Sequence, residues 1–347
     1  MTGQKVIGMS MKGKLFLILS AASLCFACAP VDNDTGLSEE DEEDVAEVSQ
    51  ALLAQNGLEL NGTVLNGSFL NGIKFNGIKF NGIKFNGTDL EGTREDNGIT
   101  VSGAAFAGTD MDAELGDSSA TTVRVESATT GEVPGMVTYE IRVGGSNVCA
   151  SGGKALLLPG RWDYATGTLV DDADKFTVAC RGAAIAKCSE WGYNDFGTWT
   201  ENNGTTTQSV SLKKFHQACV RMVRADYCGN GVSHTENGTS IDVFDVANIQ
   251  TETPGNTMPL EAEWSAAGAS CVKHVRWTST IANPGETVEQ YINDHCPSVW
   301  AGPSSTSCGG STSEYHTANG FKSSPTTYVA SHSTRPFVRN ASDQHTH

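Results

Sequence analysis

The sequence is short of positive charge. Its 23 Lys and Arg residues stand against 40 Asp and Glu residues, so the formal net charge is −17 at pH 7. Phosphate binding needs clustered positive charge, and this balance therefore argues against nucleic acid as a partner. It argues equally against electrostatic attachment to a membrane surface. The acids are concentrated, because residues 32–47 contain nine of them and no Lys or Arg.

The chain also lacks a long hydrophobic run after residue 24 and any familiar catalytic motif. No later segment approaches the length of a transmembrane helix. There is no His-Glu-x-x-His, Gly-x-Ser-x-Gly or Gly-x-x-x-x-Gly-Lys-Ser/Thr pattern. The eight histidines are scattered, and we expect His216 to be a packed or hydrogen-bonded residue and not a general base.

The N-terminus has the features of an export signal. Lys5, Lys12 and Lys14 form a basic region, and an apolar stretch follows over 15–24. That stretch is too short to anchor the chain across a bilayer, so residues 1–28 are predicted to be a signal peptide.

Two processing routes are open at the end of this signal. The segment Phe26-Ala27-Cys28-Ala29 resembles a bacterial lipobox, which predicts lipidation of Cys28, although Cys25 stands where Leu is usual. The alternative is cleavage after Ala29, which Pro30 disfavours. We predict an extracytoplasmic protein, either an outer-membrane or cell-surface lipoprotein or a secreted one. Its membrane contact would be limited to the lipid anchor.

Two atypical segments follow the signal. Residues 29–55 are predicted to be a disordered acidic linker, because like charges without aromatic residues cannot bury enough apolar surface to fold. Residues 56–96 repeat every five residues, with Leu or Phe before a recurring Asn-Gly pair. A period of five fits neither helix nor strand.

The five-residue repeat resembles pentapeptide-repeat proteins, which form a four-sided right-handed β-helix. It departs from their motif at Ile73, Ile78 and Ile83, where a small residue is typical. We therefore expect a short β-solenoid. Since a solenoid this short cannot bury its own face, it should dock onto the next domain or stay partly ordered.

Residues 97–300 are predicted to form an α+β domain, rich in strands and with one main helix. Short β-rich runs are separated by Gly, Asn, Asp and Pro turn signals. The helix is predicted over 209–227, with apolar Leu212, Phe215, Cys219 and Met222 on one face. Its opposite face, which includes Gln217 and Arg221, is expected to be solvated. A second, short helix is predicted over 288–293, and residues 301–347 are predicted to be a poorly packed tail rich in Ser and Thr.

Eight cysteines lie beyond the signal, an even number that predicts disulfides in an exported protein. They do not fix their own pairing, although Cys296–Cys308 is the pair expected from proximity in sequence. The eight are Cys149, Cys180, Cys188, Cys219, Cys228, Cys271, Cys296 and Cys308.

The densest motif is Ala225-Asp226-Tyr227-Cys228, at the end of the predicted main helix. With its flanks at 187–193 and 233–235, it resembles the ADYC domain, a family of secreted and lipoprotein-type proteins of myxobacteria and their relatives. The resemblance covers about residues 100–280. It implies no catalytic residue, because no established function comes with it.

Asp226 allows a structural and a functional interpretation. The structural one is a carboxylate that accepts backbone N–H bonds from the 229–234 loop. The functional ones are a Ca²⁺ site formed by Asp226, Asn230, Glu236 and Asp242, whose oxygen ligands suit that cation, or acid–base chemistry between Asp226 and His234. No other cofactor is expected.

Two functions remain open on the sequence. The favoured one is a non-enzymatic surface module that binds an unknown ligand or has a structural role. The alternative is an extracytoplasmic hydrolase with its site near the Asp226–His234 loop. A concave pocket with converging polar groups at that loop would distinguish the second from the first.

Overall fold

The computed structural model describes the chain in segments. These are 50–55, 71–76, 80–94, 97–115, 118–133, 135–149, 153–163, 165–172, 175–202, 207–245, 247–279, 285–305, 308 and 338–346. The predicted signal peptide, Cys28 and the acidic run lie outside the described residues, as does most of the predicted tail.

Short strands dominate the described residues. In chain order they are β1 (Gln50–Gln55), β2 (Asn71–Asn76), β3 (Phe80–Asn86), β4 (Asp89–Arg94), β5 (Thr100–Ser102), β6 (Thr109–Glu114), β7 (Ala120–Thr130), β8 (Val137–Val143), β9 (Ser146–Asn147), β10 (Ala155–Pro159), β11 (Arg161–Asp163), β12 (Thr168–Val170), β13 (Phe176–Cys180), β14 (Thr198–Asn202), β15 (Thr207–Ser211), β16 (Ser240–Asp245), β17 (Gln250–Thr251), β18 (Leu260–Ser265), β19 (Gly268–Val272) and β20 (Val338–Ser342).

In the described segments, three α-helices and two 3₁₀ helices accompany the strands. The α-helices are α1 (Ala184–Glu190), α2 (Lys213–Arg224) and α3 (Val288–His295), and the 3₁₀ helices are Gly103–Phe106 and Pro297–Val299. The prediction of a strand-rich α+β domain is confirmed. None of the helices in the described ranges combines the length and hydrophobicity that crossing a bilayer requires.

Two large sheets organise these elements. One has the order β17-β1-β16-β20-β18-β19 and the other β10-β13-β2-β6-β7-β8-β9. Helix α2 packs against β18, β19 and β20 of the first sheet. Phe215, Cys219 and Met222 on α2 are fully buried in this core with Trp264 of β18. The apolar stripe read from the sequence therefore faces the six-stranded sheet.

The second core lies on the seven-stranded sheet. Strands β7 and β8 alternate in burial, and Val123, Val125 and Ile141 point into a cluster with Tyr139 and Phe106. The Tyr139 hydroxyl accepts a hydrogen bond from the Leu90 backbone N–H at 2.9 Å. The alternating burial along β7 and β8 is typical of antiparallel strands with one face in the core.

The helix predictions need two corrections. The main helix begins at Lys213 and not at residue 209, because 207–211 pair with β14 as strand β15. Helix α1 was not predicted, since its seven residues are too few to show a helical period. The short helix predicted over 288–293 is confirmed as α3, which a Thr287–Gln290 capping box starts.

All eight predicted cysteines are joined in disulfides. The pairs are Cys149–Cys180, Cys188–Cys219, Cys228–Cys296 and Cys271–Cys308. The predicted Cys296–Cys308 pair is wrong, because Cys296 follows α3 and reaches back to Cys228 after α2, whereas Cys308 reaches Cys271 on β19. Four disulfides are consistent with an extracytoplasmic protein.

The described part of the five-residue repeat differs from the predicted solenoid. Strand β2 pairs antiparallel with β6 and β13, whereas β3 forms an antiparallel hairpin with β4. Coils of a β-helix would pair in parallel. The linker prediction also changes at its end, because residues 50–55 form β1 and pair antiparallel with β16.

The prediction of a poorly packed tail is wrong for its last residues. Strand β20 lies between β16 and β18 and pairs antiparallel with both. All five of its residues are buried, including Arg339 and Asn340. A segment beyond a long Ser/Thr-rich stretch can therefore belong to a sheet centre, and its short, polar sequence gave no sign of this.

We predict that Asn340→Asp lowers the free energy of unfolding by at least about 3 kcal/mol. The Asn340 amide donates to Glu261 Oε2 at 2.6 Å, and the substitution puts a second carboxylate beside that buried one. Urea unfolding measured at pH 7 checks this. Asp343→Asn, at an exposed position just after β20, is the control and should leave stability within about 0.5 kcal/mol. Equal stability of the two variants would contradict the central placement of β20.

Candidate functional site

The loop after α2 begins with an unusual backbone conformation. Ala225 has φ +50° and ψ +42°, the left-handed region that glycine usually occupies at helix ends. The Ala225 N–H donates to Met222 O at 3.0 Å, and the Asp226 N–H donates to Arg221 O at 2.9 Å. These two bonds are the Schellman pair that satisfies the last carbonyls of a helix. They turn the chain so that Asp226 points back toward the helix.

Asp226 is fully buried and accepts bonds from three directions. Its Oδ1 accepts from the Asn230 N–H at 3.1 Å, and its Oδ2 accepts from the Gly231 N–H at 2.9 Å. The Arg221 guanidinium, also buried, pairs with Oδ2. The carboxylate therefore organises the loop that follows it and neutralises the charge of Arg221. The geometry matches the structural interpretation of Asp226.

Tyr227 joins the loop to the sheet. Its hydroxyl donates to Glu261 Oε1 at 2.9 Å, and its carbonyl accepts from the Ala269 N–H at 2.9 Å. Its ring stacks on Trp264 with centroids 5.3 Å apart. Burial and the Glu261 carboxylate raise the pKa of Tyr227 well above its ordinary value, so the hydroxyl stays a donor.

At Cys228 and Gly229, the backbone of the loop comes close to neighbouring segments of the domain. Cys228 is bonded to Cys296 at the end of α3. A Cβ on Gly229 would lie 1.7 Å from the Ala267 carbonyl oxygen, and Gly229 already has φ +67°. Only glycine fits here, because the loop runs directly against the β18–β19 turn.

His234 is packed between aromatic rings. Its centroid lies 6.0 Å from that of Tyr227 and 4.4 Å from that of Tyr291, whose own ring stacks on His295 at 4.0 Å. Neither ring nitrogen of His234 makes a hydrogen bond with any described residue. Burial, followed by the charges of His295 and Arg224, lowers the pKa of His234 to about 4.

The hypothesis of an acid–base pair requires a hydrogen bond between Asp226 and His234, or one water between them. Both oxygens of Asp226 are occupied by donors of its own loop and by Arg221, and the His234 imidazole makes ring contacts but no hydrogen bond with a described residue. The described residues therefore contain no hydrogen bond that would join the two side chains for proton transfer.

The four candidate Ca²⁺ ligands make hydrogen bonds to different partners in the protein. Asn230 donates to the Tyr291 hydroxyl at 2.8 Å and accepts from the Val232 N–H at 3.2 Å. Asp242 accepts from the hydroxyl of Thr253 at 2.7 Å and from Asn256 at 2.7 Å, on another loop. Glu236 accepts from Thr239 through its backbone carbonyl. Within the segments that the structure describes, no group of three or more His, Cys, Asp or Glu side chains is placed to hold a metal ion.

His216 is a second buried histidine, with a serine beside it. Its Nε2 lies 3.0 Å from the Ile185 carbonyl oxygen and 3.3 Å from Ser189 Oγ. A carbonyl can only accept, so Nε2 carries the proton and cannot take one from the serine. The arrangement gives a hydrogen-bonded core histidine, as expected from the sequence, and no activated nucleophile.

The polar face of α2 was predicted to be solvated, and for Gln217 and Arg221 this is wrong. Gln217 accepts from the Leu169 N–H at 2.7 Å and donates to Gly167 O at 2.8 Å. Arg221 donates to Thr168 Oγ1 at 2.8 Å. Both side chains hold the β11–β12 hairpin, whose position over the helix could not be read from α2 alone.

A further polar centre was missed by sequence reasoning. Glu261 on β18 pairs with Arg276 at 2.8 Å, and both side chains are fully buried. Although burial opposes ionisation, Arg276 holds the pKa of Glu261 below its ordinary value. Arg276 also donates to Met222 O at 2.9 Å, at the end of α2. Two charged residues 15 positions apart in unremarkable sequence carry no recognisable signal.

We predict that Asp226→Asn lowers the free energy of unfolding by about 3 kcal/mol, because it leaves the buried Arg221 without its counter-charge. Chemical denaturation at pH 7 provides the measurement. The matched control is Asp171→Asn, since Asp171 forms an exposed pair with Lys213 and should change stability by less than about 1 kcal/mol. A neutral Asp226→Asn would show that the carboxylate is not structural.

We predict a loss of stability on acidification that depends on His234. Its folded-state pKa of about 4 lies below the ordinary value of 6.5, so the folded state binds this proton less well than the unfolded state. Stability is therefore intact above pH 6.5 and falls as the pH drops toward 4, by about 3 kcal/mol in all.

The measurement is the unfolding free energy of the protein and of His234→Phe between pH 7 and pH 4. The aromatic substitution keeps the ring stack and should flatten this part of the profile. His345→Gln, which leaves the His234 stack intact, should keep the wild-type slope. An unchanged profile in His234→Phe would contradict the assignment.

A comparison of the sequence with known protein families gives a match that includes the loop after α2. Residues 103–278 match the model described as the ADYC domain, a range that contains α2, the loop and the strands β18 and β19. Neither the curated proteins nor the solved structures provide a match. The matched range spans just over half of the chain and includes the Ala225-Asp226-Tyr227-Cys228 motif. The chain belongs to the ADYC domain family.

Proposed function

We propose that this protein is an extracytoplasmic, disulfide-braced module that works by binding or by a structural role and not by catalysis at the ADYC loop. The observation that carries the proposal is the inward orientation of the four signature residues. Ala225 ends the helix, Asp226 closes the loop, Tyr227 reaches Glu261, and Cys228 is bonded to Cys296.

Burial of these groups supports a structural use of the motif. Asp226 and Tyr227 are completely buried, and so is the Glu261 that Tyr227 contacts. A catalytic acid or base must reach a substrate, whereas these side chains use their hydrogen-bonding capacity on the protein itself. The signature therefore supplies the framework, and a ligand would contact the surface around it.

The location proposed for this module combines its disulfides with its N-terminal sequence. Four disulfides persist in oxidising compartments. The basic and apolar residues of 1–24 support export, and Cys28 is the proposed lipidation site. The acidic run over 32–47 would then act as a spacer between lipid and domain. In this arrangement the module is displayed at the cell envelope.

The experiment on location uses the whole chain expressed in a bacterium. Alkylation of intact cells should leave the eight disulfide cysteines unmodified until they are reduced. The protein should fractionate with membranes, and Cys28→Ser should release it into the soluble extracytoplasmic fraction. Cys25→Ser, three residues earlier, is the matched control and should stay with membranes. Free thiols in a cytosolic protein would overturn the location.

A second arm of the same experiment addresses catalysis. The purified protein and its His234→Phe variant are compared on chromogenic esters, glycosides and peptides. We expect no turnover that distinguishes the two proteins, because His234 has no polar partner in the described residues. Turnover in the wild type that His234→Phe abolishes, while its melting temperature at pH 7 stays unchanged, would establish the hydrolase alternative.

A further inference from the structure

The centre of the six-stranded sheet is occupied by a strand from the far end of the chain. Strand β20 pairs with β16 through the register Ile241–Ser342 to Asp245–Val338, and with β18 on its other side. Without β20, these two strands would each present an unpaired edge, which is unfavourable in a sheet interior. The space between β16 and β18 is therefore a gap for one extended segment.

The gap recognises the side chains of its occupant. Asn340 donates to Glu261 at 2.6 Å and accepts from Trp264 Nε1 at 2.7 Å. Arg339 pairs with Glu263 at 2.5 Å, and both side chains are more than nine-tenths buried. The contacts continue past the strand, where the His345 N–H donates to Arg276 O at 2.7 Å. An Arg-Asn pair in the right register is thus selected by two carboxylates of β18.

No disulfide holds β20 in the sheet, because residues 338–342 contain no cysteine. Cys308, the last cysteine of the chain, is bonded to Cys271, and no cysteine follows it. The connecting residues 309–337 could span at most roughly 100 Å if fully extended. Strand β20 also lies beyond the range that matches the ADYC family. In this chain the matched range thus contains β16 and β18, whereas the strand between them lies outside it.

We propose that the gap between β16 and β18 is a strand-acceptor site, and that the C-terminal strand of a second copy of this chain fits it as well as the chain's own strand. The contacts of the occupant described above join residues 338–345 to the rest of the domain. None of them depends on which molecule supplies the segment. Exchange of an identical element between protomers preserves every such contact.

The protein concentration determines whether β20 fills the gap of its own chain or the gap of a second copy. A tethered strand has a high effective concentration at its own gap, so dilute protein keeps its own strand. Copies crowded together would exchange strands and become linked. The partner is therefore another molecule of this protein, and the linkage consists of main-chain pairing together with the Arg339–Glu263 and Asn340–Glu261 contacts.

The test is a charge exchange in full-length protein. Arg339→Glu opposes Glu263 in its own gap, and Glu263→Arg opposes Arg339 in the other variant. Each strand is then complementary to the gap of the opposite variant. The double variant Arg339→Glu/Glu263→Arg restores the pair within one chain and is the control.

The two single variants are unfolded and refolded together with their disulfides intact. We expect a 1:1 heterodimer by light scattering and native mass spectrometry. Its melting temperature should match that of the double variant, and each single variant alone should melt lower. If the mixture gives no heterodimer at any concentration while the double variant folds, the proposal is overturned. Variants that fold only when mixed would support it.

A second measurement uses a labelled peptide of residues 335–347. It should bind full-length Asn340→Ala, whose own strand is weakened, and compete that strand out of the gap. The same peptide carrying Arg339→Glu should not bind. Absence of binding by the unmodified peptide, or equal binding by both peptides, would count against an acceptor site. Neither outcome bears on catalysis or location, so this test fails independently of the proposed function.

Discussion

The buried pair between Glu261 and Arg276 connects the parts of this domain. Arg276 donates to the carbonyl of Met222 at the end of α2, where the helix dipole favours a positive charge. Glu261 accepts from Tyr227 in the ADYC loop and from Asn340 in the C-terminal strand. Two opposite charges can remain in a core only when their hydrogen-bonding groups are satisfied. Helix α2, the ADYC loop and the strands β18 and β20 must therefore be in place together.

The four residues of the family signature are placed by their position relative to the Glu261–Arg276 pair. Tyr227 needs its hydroxyl at Glu261, which fixes where the chain leaves α2. Ala225 accepts a left-handed conformation so that this exit is possible, and Asp226 closes the loop behind it. Cys228 then ties the loop to α3. The motif thus ends a helix on a sheet, and each of its four residues takes part in a contact or bond within the protein.

The sequence was sufficient where a feature is local or periodic. The apolar stripe of α2 placed Phe215 and Met222 in the core, and an even set of cysteines after a predicted export signal predicted disulfides. It was insufficient wherever a partner comes from a distant segment. The Cys228–Cys296 bond closes over 68 residues, and the Arg221 side chain is covered by a hairpin 53 residues earlier. The strand around Asn340 is the extreme case, since its burial depends on the distant elements β16, β18 and α2.

The position of the last strand has a consequence for the order of folding. A ribosome delivers the N-terminus of a chain first. Strands β16 and β18 are then available long before Val338, yet their sheet remains divided until that residue arrives. The Glu261–Arg276 centre lacks Asn340 throughout that interval. Val338–Ser342 is the last described strand to be synthesised, so the six-stranded sheet and the Glu261–Arg276 centre can be completed only after β16 and β18 already exist.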